Sequence, residues 1–559
     1  MERYDVIIRN GRIMDGTGRT AGYTADVFIR DGMIVKIGDD HGEDAERILD
    51  ASNHLVTPGF IDSHSHADQF LPYKLDGYNK LEQGITTELC GQCGISPVPY
   101  YPDNDIDHIP AALQPEMRLN FGSYRSAFRY LDSQELGTNI ALLAANGAIR
   151  GKVMGYASGR ADAAALADMK AQLDEAMDCG CFGLSSGLIY PPSIHADTEE
   201  LIDLAKVASA RGGIYASHIR GESDNLVNAV KEALEIGERA HIPVVISHHK
   251  VFNMRNEGLS KTTLKLMEEA NQRGVYVRLD QYPYTASSTE LIYCFPPQFV
   301  TEGGTALVNR LKDAAFRKQM NRLLLRDSKE YDNFLAMAGF AGSMVVCANK
   351  TPQYLGKTLQ QIAELTGKNP FDATYDLLIE NLSDGGGIVD MVFFNISQSD
   401  HDRILAHPYT MCGTDGNYFF HEPREQTGGG HPRGTGAFIR HLKIVRDRNL
   451  FTPEEAIHRI TGAPAQIEGF LQIRRGLLKP GFHADICVLD WERLTDRADY
   501  THPFRQNEGL KYVLVNGRIA VENNAYTGVK AGRLLRRAQA GGGRVQAVFA
   551  GGCSRAYTY

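Results

Sequence analysis

Two histidines two residues apart, His64 and His66 in GFIDSHSHAD, close an apolar run that reads as a β-strand. Side chains at i and i+2 of a strand share a face, so both imidazoles point to one side, where two neutral nitrogens can hold one metal ion. Taken alone the pair is a weak signal, because two unrelated surface histidines look the same. The placement recurs, however. His218 closes IYASHIR, His248 closes VVISHHK and Asp415 closes MCGTDG, each at the carboxyl end of an apolar run. Histidines satisfied inside a core are the alternative, and they do not account for one position repeated at four strand ends. The chemistry this set points to is that of a metal site. His249 faces away from His248 and is read as structural.

Elements must exist to carry these residues. From about Leu55 to Gly469, apolar runs alternate with helical patterns, the signature of βα units and a parallel sheet. The runs are LVTPGFIDSH, GITTELCG, NIALLAANG, CFGLSSGLI, GIYASHIR, PVVISHHK, VYVRLDQY and YTMCGTDG, separated by helices such as TEELIDLAKVASARGG. Eight strands imply an α/β fold with a closed (β/α)8 TIM-type barrel, whose active site gathers at the carboxyl ends of the strands. Both ends of the chain read instead as short strands, with Asn10-Gly11, Asp31-Gly32 and Asn516-Gly517 as hairpin-type dipeptides. The expected organisation is a small β-sandwich domain built from both termini (1–56 and 469–537) around a barrel over 57–468. An insertion at about 289–408 is too long for a βα connection and is placed near the barrel mouth. Residues 538–559 form a basic, Gly-rich tail, read as solvated.

Composition narrows the partners. The chain has 559 residues and a net charge of −9, so no overall basic field would hold nucleic acid. It contains no stretch of about 18 apolar residues and no signal-peptide pattern at its start, so no membrane partner and a cytoplasmic location are expected. Nine cysteines, an odd number spread along the chain, do not make a disulfide framework.

With HxH after the first strand, single histidines after the fifth and sixth and Asp after the eighth, the sequence resembles the amidohydrolase superfamily. The cyclic amidases of that superfamily bridge two metals with a carboxylated Lys at the end of the fourth strand. Here that strand reads CFGLSSGLIYPP and has no Lys. Cys93 in CGQCGISP follows the second strand, and a thiolate there can supply the missing anion, because zinc accepts sulfur and keeps the thiol ionised. Cys90 is the competitor, read as packed within the strand.

HxH, GxCGIS, GLSSGLIYPP, HIRGES, SHHK, YPYTASST, GTDG and HPR in this order resemble the N-acyl-D-amino-acid deacylase (D-aminoacylase) family, from about Tyr4 to Arg537. The resemblance implies a tight Zn²⁺ on Cys93, His218 and His248, a weaker second site at His64 and His66, and Asp415 as catalytic acid/base. It also implies that Lys250, Arg433, Tyr282 and Ser288 receive the substrate carboxylate and that Tyr190 lines the pocket. Lys250 as a rim salt bridge, Arg433 as a solvated loop charge and Ser287 in place of Ser288 stay open. The sequence departs from the family pattern in GTDG, where Ser before Asp is expected, and in its tail. The implied activity is hydrolysis of a small N-acyl-D-amino acid; ring opening of a cyclic amide, as in hydantoinases and dihydropyrimidinases, is the alternative. A catalytically dead barrel used as a scaffold is a third reading, disfavoured by the complete ligand set. The preferred side chain and the oligomeric state are not legible.

Overall fold

A computed structural model describes residues 3–70, 75–100, 121–301, 303–326, 328, 331–383, 387–419 and 423–538. The eight expected barrel strands are all present: β1 (Phe60–Asp62), β2 (Ile85–Cys90), β3 (Asn139–Leu142), β4 (Gly183–Gly187), β5 (Ile214–His218), β6 (Val244–Ile246), β7 (Val277–Gln281) and β8 (Thr410–Cys412). β1 to β3 pair in parallel, and β4 to β8 pair in parallel with Ala144–Ala145, which continues β3. The ring closes through a parallel bridge between Ser65 and Gly416, just past the ends of β1 and β8. The first and last strands therefore meet where HxH and Asp415 stand.

Helices cover the outside. Thr198–Ala210 begins at Asp197, whose side chain accepts the Glu200 N–H, and turns Leu201, Leu204, Ala205 and Ala208 inward at helical spacing. The amino-terminal end of the barrel is filled by its own side chains. Ile61, Leu89, Leu143, Phe182, Val245 and Met411 pack with Ile467 and Phe470 from the segment that follows the barrel. Each large apolar group buried in this way contributes about 1.5–3 kcal/mol. The barrel interior is thus a packed core, and the open cavity lies at the carboxyl ends of the strands.

Both termini build one nine-stranded sheet. Leu55–Pro58 pairs parallel to Tyr4–Ile13 and antiparallel to Ile486–Leu489, which joins the two halves. Asp31-Gly32 and Asn516-Gly517 make the hairpin turns expected of them, with positive φ at all four residues. Asn10-Gly11 does not. It lies inside the continuous strand Tyr4–Ile13 as a register irregularity between Ile8 and Gly11. Asn10 takes φ +62°, and a Cβ on Gly11 would fall 2.2 Å from Val56 Cγ2. The dipeptide supplies a bulge and a close approach, not a turn.

The long interval before β8 forms an antiparallel sheet of Ser287–Glu290, Val389–Phe393 and Ser343–Ala348, with helices including Gly304–Leu311, Ala314–Leu323 and Pro370–Leu382. Among the described residues no helix is long and apolar enough to cross a membrane. The basic tail falls outside the described residues from 539 onward.

Candidate active site and metal centre

A cavity of about 500 Å³ opens at the carboxyl ends of the strands, and its wall includes His66, Cys93, His218, His248, Lys250 and Asp415. Tyr190, Tyr282, Ser287, Ser288 and Arg433 line the same cavity, so the insertion sheet and the barrel share one chamber.

The loop after β2 is shaped by small residues. Cys93 sits at φ +55°, and a Cβ on Gly187 at the end of β4 would fall 1.9 Å from the Cys93 carbonyl oxygen. Only a glycine there lets this loop lie against β4. Ser185, in the strand where the cyclic amidases carry Lys, donates to the Gly91 carbonyl and accepts the Gly94 N–H at 3.1 Å. The fourth strand thus braces the cysteine loop.

Cys93 Sγ lies 3.3 Å from His64 Nε2 and 3.4 Å from His248 Nε2. His64 Nε2 lies 3.7 Å and His66 Nε2 3.2 Å from Asp415 Oδ1. His218 meets the His248 ring edge-on at 4.4 Å between centroids, with the Tyr190 ring 5.1 Å away. Among the described residues two groupings, His64 with Cys93 and His248, and His64 with His66 and Asp415, bring one donor atom from each residue within 4.8 Å of the others. His64 belongs to both, whereas the family resemblance assigns it to the weaker site alone.

This set fits a metal. Among the described residues His218, only 4% exposed, has no hydrogen-bond partner on either ring nitrogen, and His66 Nδ1 also lacks one. Such buried, unsatisfied nitrogens cost about 1–3 kcal/mol each unless something else fills them. Imidazole nitrogens with one thiolate are a donor set that zinc takes well. The electrostatics agree. Burial pushes the Cys93 thiol up, but His64 and His248 beside it hold it well below its ordinary value. Burial also pushes Asp415 up, yet Arg433, His248 and His66 hold its carboxyl well below the usual carboxylate range. Burial lowers His66, and hydrogen bonds to Asp415 and Cys93 more than offset this, bringing it up to about 9. His64 and His66, both raised by the anions beside them, thus balance that charge, the role a divalent cation takes over on binding. Cys90, three residues before Cys93 in the spacing Cys-x-x-Cys, shows the opposite behaviour: burial pushes it well up, and it packs inside β2 as expected.

A second set of groups stands behind the ligands. Glu222 Oε1 is 3.2 Å from His248 Nδ1 and accepts from Lys250 Nζ at 2.6 Å; burial raises its carboxyl, but Lys250, His248 and His218 bring it down to about 2. Asp280, at the end of β7, accepts the His248 N–H at 2.8 Å and lies 3.4 Å from His64 Nδ1. Neither is among the residues expected from the sequence. Glu222 stands in HIRGES four residues after His218 with no periodic signal of its own, whereas Asp280 carries the same strand-end signal that marks the histidines. His249 faces outward as expected, with Nε2 2.9 Å from Thr263 Oγ1.

The expected carboxylate receivers face the chamber already partnered. Lys250 is paired with Glu222, and Arg433 Nη1 lies 2.7 Å from Asp415 Oδ2 with its guanidinium 4.8 Å from the Tyr282 ring centre. The Tyr282 hydroxyl is buried and has no hydrogen-bond partner among the described residues. Ser287 Oγ donates to Asn395 Oδ1 at 3.1 Å and Ser288 Oγ to the Met391 carbonyl at 2.9 Å, so both serine oxygens keep accepting capacity on the cavity wall.

Comparison with known proteins adds three findings. A family model described as Amidohydrolase family matches residues 358–521. A D-aminoacylase of Alcaligenes xylosoxydans xylosoxydans is 34% identical over 96% of this chain and 98% of its own, and an N-acyl-D-aspartate deacylase of the same organism is 33% identical over 95% of each. The crystal structure of an N-acyl-D-glutamate deacylase from Bordetella bronchiseptica, complexed with zinc and a phosphonate mimic of the tetrahedral intermediate, superposes with a TM-score of 0.79 at 32% identity, over 96% of this chain and 100% of that one.

Proposed function

The chain belongs to the D-aminoacylase family of amidohydrolases, and from that premise we propose that it is a zinc-dependent hydrolase of N-acyl-D-amino acids, releasing a carboxylate and the free D-amino acid. The observation that carries this reading is the convergence of Cys93, His64, His66, His218 and His248 beside Asp415 at the mouth of one barrel.

Cys93, His218 and His248 would hold the tight zinc, with His64 and His66 as the weaker second site. Zinc bound there would supply Lewis acidity, lowering the pKa of a water to about 7 and polarising the amide carbonyl. Asp415, held as a carboxylate by Arg433, accepts the proton of the attacking water and returns it to the leaving amine nitrogen as the C–N bond breaks. Asp280 and Glu222 fix the orientation of His64 and His248 from behind. Arg433, Lys250 and the Tyr282 hydroxyl receive the substrate carboxylate, with Ser288 beside them, and Tyr190 closes the side of the chamber next to His218. Holding carboxylate, amide and side chain at three points is what lets such a chamber separate D from L.

The absence of a fourth-strand Lys, with Ser185 and Ser186 in that strand, favours a linear amide over a ring. The test is paired assay of a linear N-acetyl-D-amino acid and a hydantoin. Hydrolysis of the linear substrate is expected; turnover of the ring alone would transfer the protein to cyclic amides.

A further inference from the structure

Lys80 lies on the short helix Tyr78–Leu81 that leads into β2, and its side chain has no exposed surface. Its Nζ donates to Asp62 Oδ2 at 2.8 Å, Ser65 Oγ at 3.1 Å, Thr414 Oγ1 at 2.6 Å and the Gly416 carbonyl at 2.9 Å, and stands 3.4 Å from Glu88 Oε2. An ammonium has three protons, so none is left over for substrate, and Lys80 does not line the cavity. The acceptors come from the ends of three strands. Asp62 and Ser65 belong to β1 and the loop that carries His64 and His66; Glu88 belongs to β2; Thr414 and Gly416 flank Asp415 after β8.

Asp415 needs such support. It holds φ +48°, a left-handed conformation that is unfavourable for a residue with a Cβ. Its N–H donates to the His64 carbonyl at 2.8 Å, the Thr414 N–H to Asp62 Oδ1 at 2.9 Å, and the His66 N–H to the Gly416 carbonyl at 3.1 Å. Thr414 Oγ1 also donates to Asp62 Oδ2 at 2.6 Å. The turn that aims the carboxylate and the loop that aims the HxH pair are therefore tied to one cation.

We propose that Lys80 is a positioning residue for Asp415: through Thr414 and Gly416 on one side and Asp62 and Ser65 on the other, it sets where the Asp415 carboxylate stands relative to His64 and His66. This rests on the reading of Asp415 as the proton carrier. A plain counter-ion to Asp62 and Glu88 would stabilise the fold without this specificity, and the two roles separate by experiment.

Thr414→Val keeps the side-chain volume and leaves the ammonium both its carboxylates, but deletes the hydroxyl that ties Lys80, Asp62 and the Gly416 N–H together. Lys80→Arg keeps the charge, but a planar guanidinium cannot converge on the same four oxygens. Both are compared with the parent as zinc-loaded full chains, by kcat and KM for the best N-acetyl-D-amino acid, by zinc content, and by deuterium uptake over the segment around Asp415. Each variant is expected to lower kcat by about 10²-fold, the size of loss that a displacement of about 1 Å produces, with KM within about twofold and zinc unchanged. Deuterium uptake should rise around Asp415 and not in the outer helices. The double variant should lose no more than the worse single one, because both break the same link. Parental kcat and deuterium uptake in Thr414→Val would overturn the proposal, even if Lys80→Arg failed to fold. Asp415→Asn in the same assay keeps the two readings apart. If it is fully active, the proton-carrier role falls and takes this proposal with it. If it is inactive while Thr414→Val is active, only the role of Lys80 falls.

Discussion

The Arg433 guanidinium and the Asp415 carboxylate meet at 2.7 Å, and the other carboxylate oxygen lies 3.2 Å from His66 Nε2. One carboxylate thus joins Arg433 to His66, both on the cavity wall. Arg433 beside it holds the Asp415 carboxyl well below the usual carboxylate range, against the effect of burial.

Replacing Asp415 with Asn keeps the shape and removes the base. Zinc content should stay near the parental value while kcat falls by roughly 10²- to 10⁴-fold, the usual extent of a lost general acid/base. Elemental analysis and steady-state rates on one preparation check it; retained turnover removes Asp415 from the role.

Arg433→Ala should raise KM for substrates with a free carboxylate by about 10- to 100-fold, the weight of one charge-assisted hydrogen bond. An amide-capped substrate separates anchoring from the effect on Asp415. A smaller rise in KM is expected for it, and an equal one would contradict a carboxylate contact.

Cys93→Ala removes the sulfur that stands 3.3 and 3.4 Å from two imidazoles. Dialysed protein should lose most of its zinc, as counted by elemental analysis, and the melting midpoint should then stop responding to added zinc. A parental zinc complement would show that the histidines alone hold the metal.

What the sequence discloses and what it conceals divide along physical lines. The barrel strands are legible because each is an apolar run, and His64, His218, His248 and Asp415 are legible because a polar group ending such a run breaks its pattern. Asp280 carries the same signal at the end of VRLDQ and is found by applying the rule to every strand. Glu222 is different. Its role depends on Lys250 reaching across from the next strand, a contact between residues 28 apart. Lys80 is concealed for the opposite reason: lysines are ordinarily solvated, and only the fold shows that this one is buried among five oxygens. The pairings of Lys250 with Glu222 and Arg433 with Asp415 also belong to tertiary structure, because nothing in local sequence sets how these loops face one another. Asn10-Gly11 shows a local signal overridden: the dipeptide permits positive φ, and the packing of Gly11 on Val56 turns that freedom into a bulge.

Glu468 gives a prediction about stability. It is 1% exposed, and burial pushes its pKa well above the ordinary range, more than Ser63 and His64 beside it pull it down. The folded chain therefore keeps a proton that the unfolded chain releases above about pH 4.5, so this group makes stability fall as pH rises beyond that point. Glu468→Gln, neutral at every pH, should be more stable than the parent at pH 7, by about 1–3 kcal/mol, and indistinguishable from it near pH 4. Thermal midpoints at the two pH values check this; an equal difference at both would assign the effect to shape.

The central claim is most directly tested by release of free amine from matched panels of N-acetyl-D- and N-acetyl-L-amino acids, using protein whose zinc has been counted. Turnover confined to the D panel, abolished by chelation and restored by zinc, is the predicted result. Turnover of the L panel, or undiminished turnover after the zinc is removed, would contradict it.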